Sequence, residues 1–192
     1  MLLWTAAYAS LQDDALDPKA LPAPIVLGPR GDSYAADDPA LAARLSEDLG
    51  RRVEVRRDLA GQQDLPESVL VTVEASRRAL EGVHGRPIEV VRFRPNIHVD
   101  LDCEPFAEEE LKGARLRVGE AEFQLLHPCE RCVIPTRDPD TAEKWPELLR
   151  HLFRERRGLF GINARPLGPA RVAQGDEVVV AHQSGLRPRA RA

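Results

Sequence analysis

Short apolar runs with period-two alternation recur along this chain, and only a few stretches carry a helical period. The opening segment MLLWTAAYAS is apolar and predicts a buried first strand. It has no basic region before its apolar run, and Asp13 and Asp14 follow closely, so it does not read as a signal peptide. Residues 1–36 are otherwise irregular and strand-poor, punctuated by Pro18, Pro22, Pro24, Gly28, Pro29 and Gly31. Asp38-Pro39 opens a helical pattern over 40–49, with Leu41, Leu45 and Leu49 on one face and Gly50 as its cap. Strands are expected at 52–57, 68–73, 88–93 and 97–101, and a short helix at 75–80 ending near Gly82 or Gly85.

Residues 106–111 predict a helical turn. Leu116, Val118, Phe123 and Leu125 alternate across a Gly119-Glu120 turn, which predicts a hairpin over 114–118 and 121–126. Residues 146–155 are helical, with Leu148, Leu149 and Leu152 apolar. Residues 160–164 form another strand, and a last strand pair is expected at 170–172 and 177–181 around Gly175-Asp176. The tail from Gln183 reads as frayed. Many short strands with a few short helices predict a mostly β, barrel-like domain. No regular strand–helix–strand rhythm and no G-x-G-x-x-G motif supports a dinucleotide fold.

Length and composition refine this picture. The chain has 192 residues, 43% hydrophobic and 30% charged, which suits one globular domain. No run approaches the roughly 20 apolar residues of a membrane span. The net charge of −4 gives no general attraction to nucleic acid. Of the 27 basic residues only Lys19, Lys112 and Lys144 are lysines, which reads first as a coding bias towards Arg and, for a few of them, as planar forks for an oxyanion or phosphate. The three cysteines, Cys103, Cys129 and Cys132, are an odd set without a secretion signal. A reducing, cytoplasmic setting with free thiols is expected.

Candidate chemistry concentrates in His127-Pro-Cys-Glu-Arg-Cys-Val-Ile-Pro-Thr-Arg-Asp-Pro-Asp-Thr141. Its C-x-x-C spacing leaves several readings open. The thiols suit a metal, a redox disulfide, a single reactive thiol, or two inert buried cysteines. Zinc needs two further ligands, for which Cys103 and His127 or His98 are the candidates. A thioredoxin-like pair wants a βαβ setting that the prolines oppose. Arg131 lies between the thiols, where a guanidinium favours a thiolate, or else on the surface beside Glu130 or Asp138. A second segment, Arg92-Phe-Arg-Pro-Asn-Ile97, puts Arg92 and Arg94 opposite Phe93 and reads either as a polar strand end closed by an Asn turn or as a strand end that holds a phosphate and a heterocycle edge through Arg94 and Asn96. Thr72 and Ser76 are nearby hydroxyls, and Thr136, Asp138, Asp140 and Thr141 read as an Asx-turn scaffold for the cysteine loop. The basic run Arg150, Arg154, Arg156 and Arg157 reads first as a solvated helix face, with an anion-facing surface as the alternative.

Taken together, Phe93-Arg94-Pro95-Asn96, Gly119, Cys129-x-Arg131-Cys132, Thr136-x-Asp138-Pro139-Asp140-Thr141, Phe160-Gly161 and Gly175-Asp176-x-Val178 resemble the MOSC domain, named after the C-terminal part of molybdenum-cofactor sulfurase. The likeness is strongest over about residues 65–181 and points to the branch of the mitochondrial amidoxime-reducing components and their bacterial relatives. It implies a β-barrel-like fold binding a pterin-based molybdenum cofactor. By that resemblance Cys132 is the thiolate ligand of molybdenum and the catalytic residue. Arg94, Asn96, Arg131, Ser76, Thr72 and Thr136 would be the cofactor-binding set. The family as a whole also carries the label of pyridoxal phosphate binding.

The resemblance implies an oxidoreductase for small N-hydroxylated or N-oxide type molecules, fed by a separate electron-donor protein. A sulfur carrier holding a persulfide on Cys132 and a non-catalytic cofactor-binding remnant are the alternatives. Neither a nucleic acid nor a membrane is an expected partner. The organisation expected is a shortened β-rich region over 1–65 packed on the main domain, a core over 66–182, and a flexible tail over 183–192. Glu130 stands where the family often has a small or uncharged residue, and Ala142 where glycine is usual.

Overall fold

The 114–126 hairpin is the spine of the fold, and in the computed structural model it is longer than alternation predicts. Strand β6 (Arg115–Val118) turns at Gly119 into β7 (Ala121–Glu130), and Leu116, Val118, Phe123 and Leu125 all point into the core. The structure describes residues 3–8, 21–57, 68–182 and 185–191. By their internal contacts the residues fall into two units, 1–61 with 139–142, and 62–138 with 143–192.

In the first unit, β1 (Thr5–Ala7), β2 (Ile25–Leu27) and β3 (Ser33–Ala35) form an antiparallel sheet in that order. The opening strand exists but is exposed at all three residues, not buried. A three-stranded sheet is too thin to enclose it. Helix α1 (Pro39–Leu49) matches its prediction. Asp38 accepts from the Ala40 N–H at 2.8 Å, Pro39 starts the first turn, and Gly50 ends it at φ 62°. Residues 52–57 are not a strand. Arg52 and Arg56 pair with Glu54, and the Val53 N–H donates to the Ser46 hydroxyl at 2.9 Å, so this backbone serves a helix side chain instead of a ladder.

The second unit holds a seven-stranded sheet ordered β10-β9-β6-β7-β8-β4-β5. Its further members are β4 (Val69–Val73), β5 (Ile97–Val99), β8 (Leu159–Pro166), β9 (Glu177–His182) and β10 (Gly185–Arg191). All pairings are antiparallel except β4 with β5. The domain is therefore mostly β, as expected. Residues 170–172 form no strand; β9 pairs with β6 on one side and with β10 on the other. The tail expected to fray supplies β10.

Two apolar clusters fill the second unit. The larger lies against the sheet and includes Val71, Val99, Leu116, Phe123, Ile162 and Val180. The smaller joins Leu80 of α2 (Glu74–His84), Leu148 and Leu152 of α3 (Pro146–Arg156), and Phe93 and Phe160. The Phe93 and Phe160 rings stack at 3.8 Å between centroids and 24° between planes. That aromatic pair is worth about 0.5–1.5 kcal/mol beyond its burial. Gly161 follows at φ +77°, and a Cβ there would sit 2.7 Å from the Val71 carbonyl, so β8 approaches β4 only with glycine at this position.

Residues 88–93 are not a strand. Val90–Phe93 is a 3₁₀ turn, and Arg94 closes it in the left-handed region at φ 52°. Alternation would have separated Arg92 from Phe93, yet both are buried. The tighter winding brings Glu89 and Arg92 onto one face and lets the guanidinium and the ring point inward together.

Candidate functional site

Cys129 and Cys132 lie at and just past the C-terminal end of β7, beside an irregular step in the ladder. Pro128 has no N–H to donate, and the β7–β8 register slips there and is restored by Glu130. Cys129 keeps the inward parity of Phe123 and Leu125 and is buried, and Cys132, two residues past the strand, is exposed. The loop between them is tied down from three sides. The Arg131 N–H donates to the Gly158 carbonyl at 2.8 Å. One guanidinium nitrogen donates to the Phe93 carbonyl at 2.7 Å, and the other to the Cys129 sulfur at 3.2 Å.

Arg131 is therefore neither a surface residue nor a partner of Glu130 or Asp138. It is buried, lies 5.7 Å from the Phe93 ring centre, and its Nε has no partner among the described residues. The thiol it meets is that of Cys129, not Cys132. Arg92 takes Asp138 instead, at 2.8 Å, together with Glu89, and its side chain is 1% exposed. The Asp138 N–H donates to the Glu143 carbonyl at 2.8 Å, and an isolated bridge joins Arg137 to Lys144, so the turn-rich segment is closed on itself.

The second segment meets the cysteine loop through Arg131. Asn96 is fixed to β4 by a reciprocal pair: its N–H donates to the Leu70 carbonyl at 2.9 Å, and its Oδ1 accepts the Leu70 N–H at 2.8 Å. Arg94 is exposed, with no ion-pair partner among the described residues. Arg131 thus links the cysteine loop to the segment carrying Arg94 and Asn96, through the residue just before Arg94.

The three hydroxyl residues are committed elsewhere. The Thr136 hydroxyl is buried and donates to the Val133 carbonyl at 2.7 Å. Thr72 is buried and meets His98 Nδ1 at 2.9 Å, while His98 Nε2 lies 3.0 Å from Glu74. This Thr72–His98–Glu74 chain escaped the sequence reading, because its only signal is the register that pairs Thr72 with His98 across two parallel strands. Ser76 is fully buried; its hydroxyl donates to Glu108 at 2.7 Å and accepts the Phe106 N–H at 2.7 Å. Among the described residues no three His, Cys, Asp or Glu side chains gather as a metal cage, so neither Cys103 nor a histidine joins the C-x-x-C pair.

Two carboxyls in this region are shifted in opposite senses. Arg77, with His98 and Arg78, holds Glu74 down at about 2 against the cost of its burial. Burial pushes the Glu108 carboxyl up, and the Ser76 hydrogen bond only partly opposes it. For a carboxyl raised in the fold, the stability it contributes is fully present below the unfolded-chain value, and it is lost as pH rises through the folded value. Glu108→Gln removes that loss. The variant is expected to unfold at higher urea concentration than the wild type near about pH 8, with the gap narrowing toward about pH 3, below the unfolded-chain value of about 4.3, where the carboxyl is protonated in both states. Equal midpoints at both pH values contradict this.

With the geometry in place, comparison with known proteins identifies the class. The MOSC domain family model matches residues 58–179, and the chain belongs to that family. It is 34% identical over 136 residues, 64% of this chain, to a protein of Drosophila mojavensis named molybdenum cofactor sulfurase, covering 17% of that protein. A Drosophila ananassae protein of the same name is 32% identical over 117 residues, 58% of this chain and 15% of its own length. Mitochondrial amidoxime-reducing component 1 of Danio rerio is 37% identical over 74 residues, 38% of this chain and 22% of its own length. The chain thus spans less than a quarter of these relatives. No helix among the described residues is long and apolar enough to cross a membrane.

Proposed function

We propose that this chain holds a pterin-based molybdenum cofactor through Cys132 and acts as an oxidoreductase on N-hydroxylated or N-oxide type substrates, with electrons from a separate redox protein. The observation that carries the reading is an exposed thiol on a loop anchored by a buried arginine with no carboxylate partner among the described residues. The residues present fit the group. Molybdenum in such a cofactor asks the protein for one sulfur, and Cys132 offers one accessible sulfur. The buried Arg131 charge favours an anionic ligand above it. The exposed Arg94 fork suits the cofactor's phosphate, and the Asn96 amide nitrogen is left to donate once its oxygen is occupied by Leu70. When bound, the cofactor supplies the redox chemistry. The chain's own part is to hold the sulfur in place, through Arg131 to Gly158 and Phe93, and to present cations to the cofactor's anionic end. Free cysteines suit a reducing, cytoplasmic setting.

A second reading has Cys132 carry a persulfide to a metal centre elsewhere. It draws on the sulfurase relatives, which match more of this chain than the amidoxime-reducing component does. Protein made in a cofactor-competent host separates the two. Bound molybdenum and pterin, with reduction of an aryl amidoxime by reduced viologen, support the oxidoreductase. Sulfur label on Cys132 without metal supports the carrier, and neither signal leaves a non-catalytic remnant.

A further inference from the structure

Directly beside the cysteine loop lies a cleft of about 670 Å³ between that loop and α3. It is within the range of about 300–1,000 Å³ of small-molecule sites. Its floor is apolar: Val133, the residue after Cys132, is 59% exposed, Phe153 is 50% exposed, and Leu149 lies with them. Its rim is cationic: Arg137, Lys144, Arg150 and Arg154 line it, and no carboxylate does. Lys144 has no ion-pair partner among the described residues. Arg150 and Arg154 pair with Glu147 and Glu155, but all four side chains are at least half exposed. Pairs so exposed are weak and yield to an incoming anion. The spacing of Arg150, Phe153 and Arg154 along α3 puts two guanidinium groups and one ring on adjacent positions of the helix surface.

We propose that this cleft binds amphipathic organic anions, an aromatic or branched aliphatic body bearing a carboxylate or sulfonate. We infer further, resting on the molybdenum reading above, that it selects substrates of that class for the centre at Cys132. An apolar body would cover Val133 and Phe153, and its anionic group would meet Lys144 and Arg150. Arg94 and Asn96 do not line the cleft, so it is separate from the residues assigned to the cofactor. The cleft is coupled to the thiol loop through Gly158, where an added Cβ would run into the Phe153 ring and whose carbonyl holds the Arg131 N–H.

The test titrates 1-naphthoate and its uncharged counterpart 1-naphthamide into cofactor-free protein by calorimetry. Saturable one-site binding of naphthoate is expected, with naphthamide weaker. The double variant Lys144→Gln, Arg150→Gln should weaken naphthoate by about tenfold, roughly threefold for each exposed cation removed. Both changes are on the surface, and circular dichroism verifies the fold. Cys132→Ala and Arg94→Gln should bind naphthoate as the wild type does. Equal affinity for the two naphthyl compounds, or full naphthoate affinity in the double variant, overturns the proposal. So does binding of poly-glutamate without binding of naphthoate, which assigns the rim to an acidic protein. A chain that takes up molybdenum but ignores naphthoate loses this inference alone. A chain that binds naphthoate in the cleft but takes up no molybdenum loses the cofactor reading and keeps the site.

Discussion

Protein carrying Cys132→Ala is expected to come from a cofactor-competent host folded, but without the molybdenum that the proposed function assigns to the wild-type chain. The thiol is exposed and no contact of the fold depends on it, so the urea midpoint should change by no more than about 0.5 kcal/mol equivalent. Cys129→Ala should do the reverse. It removes a buried sulfur that accepts from Arg131, which costs about 1–2 kcal/mol, and leaves the metal in place. Metal analysis and urea titration of the two variants side by side make the check. Molybdenum retained by Cys132→Ala, or lost equally from both, defeats the assignment of Cys132 as ligand.

The second large effect is on stability. Asp138→Ala removes the better shielded of two carboxylates from a guanidinium that is almost completely out of solvent. Glu89 remains bonded to Arg92, but it is 44% exposed and compensates only in part. A fully unpaired buried charge costs roughly 3–5 kcal/mol, and with Glu89 still in place the loss expected in the free energy of unfolding is about 2 kcal/mol. Asp138→Asn keeps a hydrogen-bond acceptor and should lose less. A loss under about 1 kcal/mol for the alanine variant would show that Glu89 alone compensates Arg92.

Much of this was readable before any coordinates. Asp38-Pro39 and Gly50 mark the ends of α1 because capping is local chemistry, and the 114–126 hairpin follows from alternation alone. The cysteine loop was found at the strand end where it lies. Where the sequence misleads, the deciding partner lies outside the segment's own alternation. Val90–Phe93 winds into a 3₁₀ turn in which Arg92 meets both Glu89 and Asp138, the latter 46 residues on. Residues 52–57 alternate like a strand but find no neighbouring strand to pair with. Arg131 looked like a modifier of Cys132, yet its direction is set by the Phe93 carbonyl and the Cys129 sulfur. At Ala142, where the resemblance implies glycine, the backbone adopts φ 61°, the left-handed conformation that glycine takes without cost.

The two irregular steps around Pro128 cancel. β7 slips by one residue against β8 at Pro128 and is back in its earlier register at Glu130. The parity of the strand is therefore kept, and Cys129 falls on the same inner face as Phe123 and Leu125. The inner sulfur is an extension of the hairpin's own alternation, whereas the outer one sits beyond the last rung, where the pleat no longer dictates a direction. A single uncompensated insertion between Leu125 and Cys129 would turn the inner sulfur away from Arg131 and leave the outer thiol's loop without that anchor.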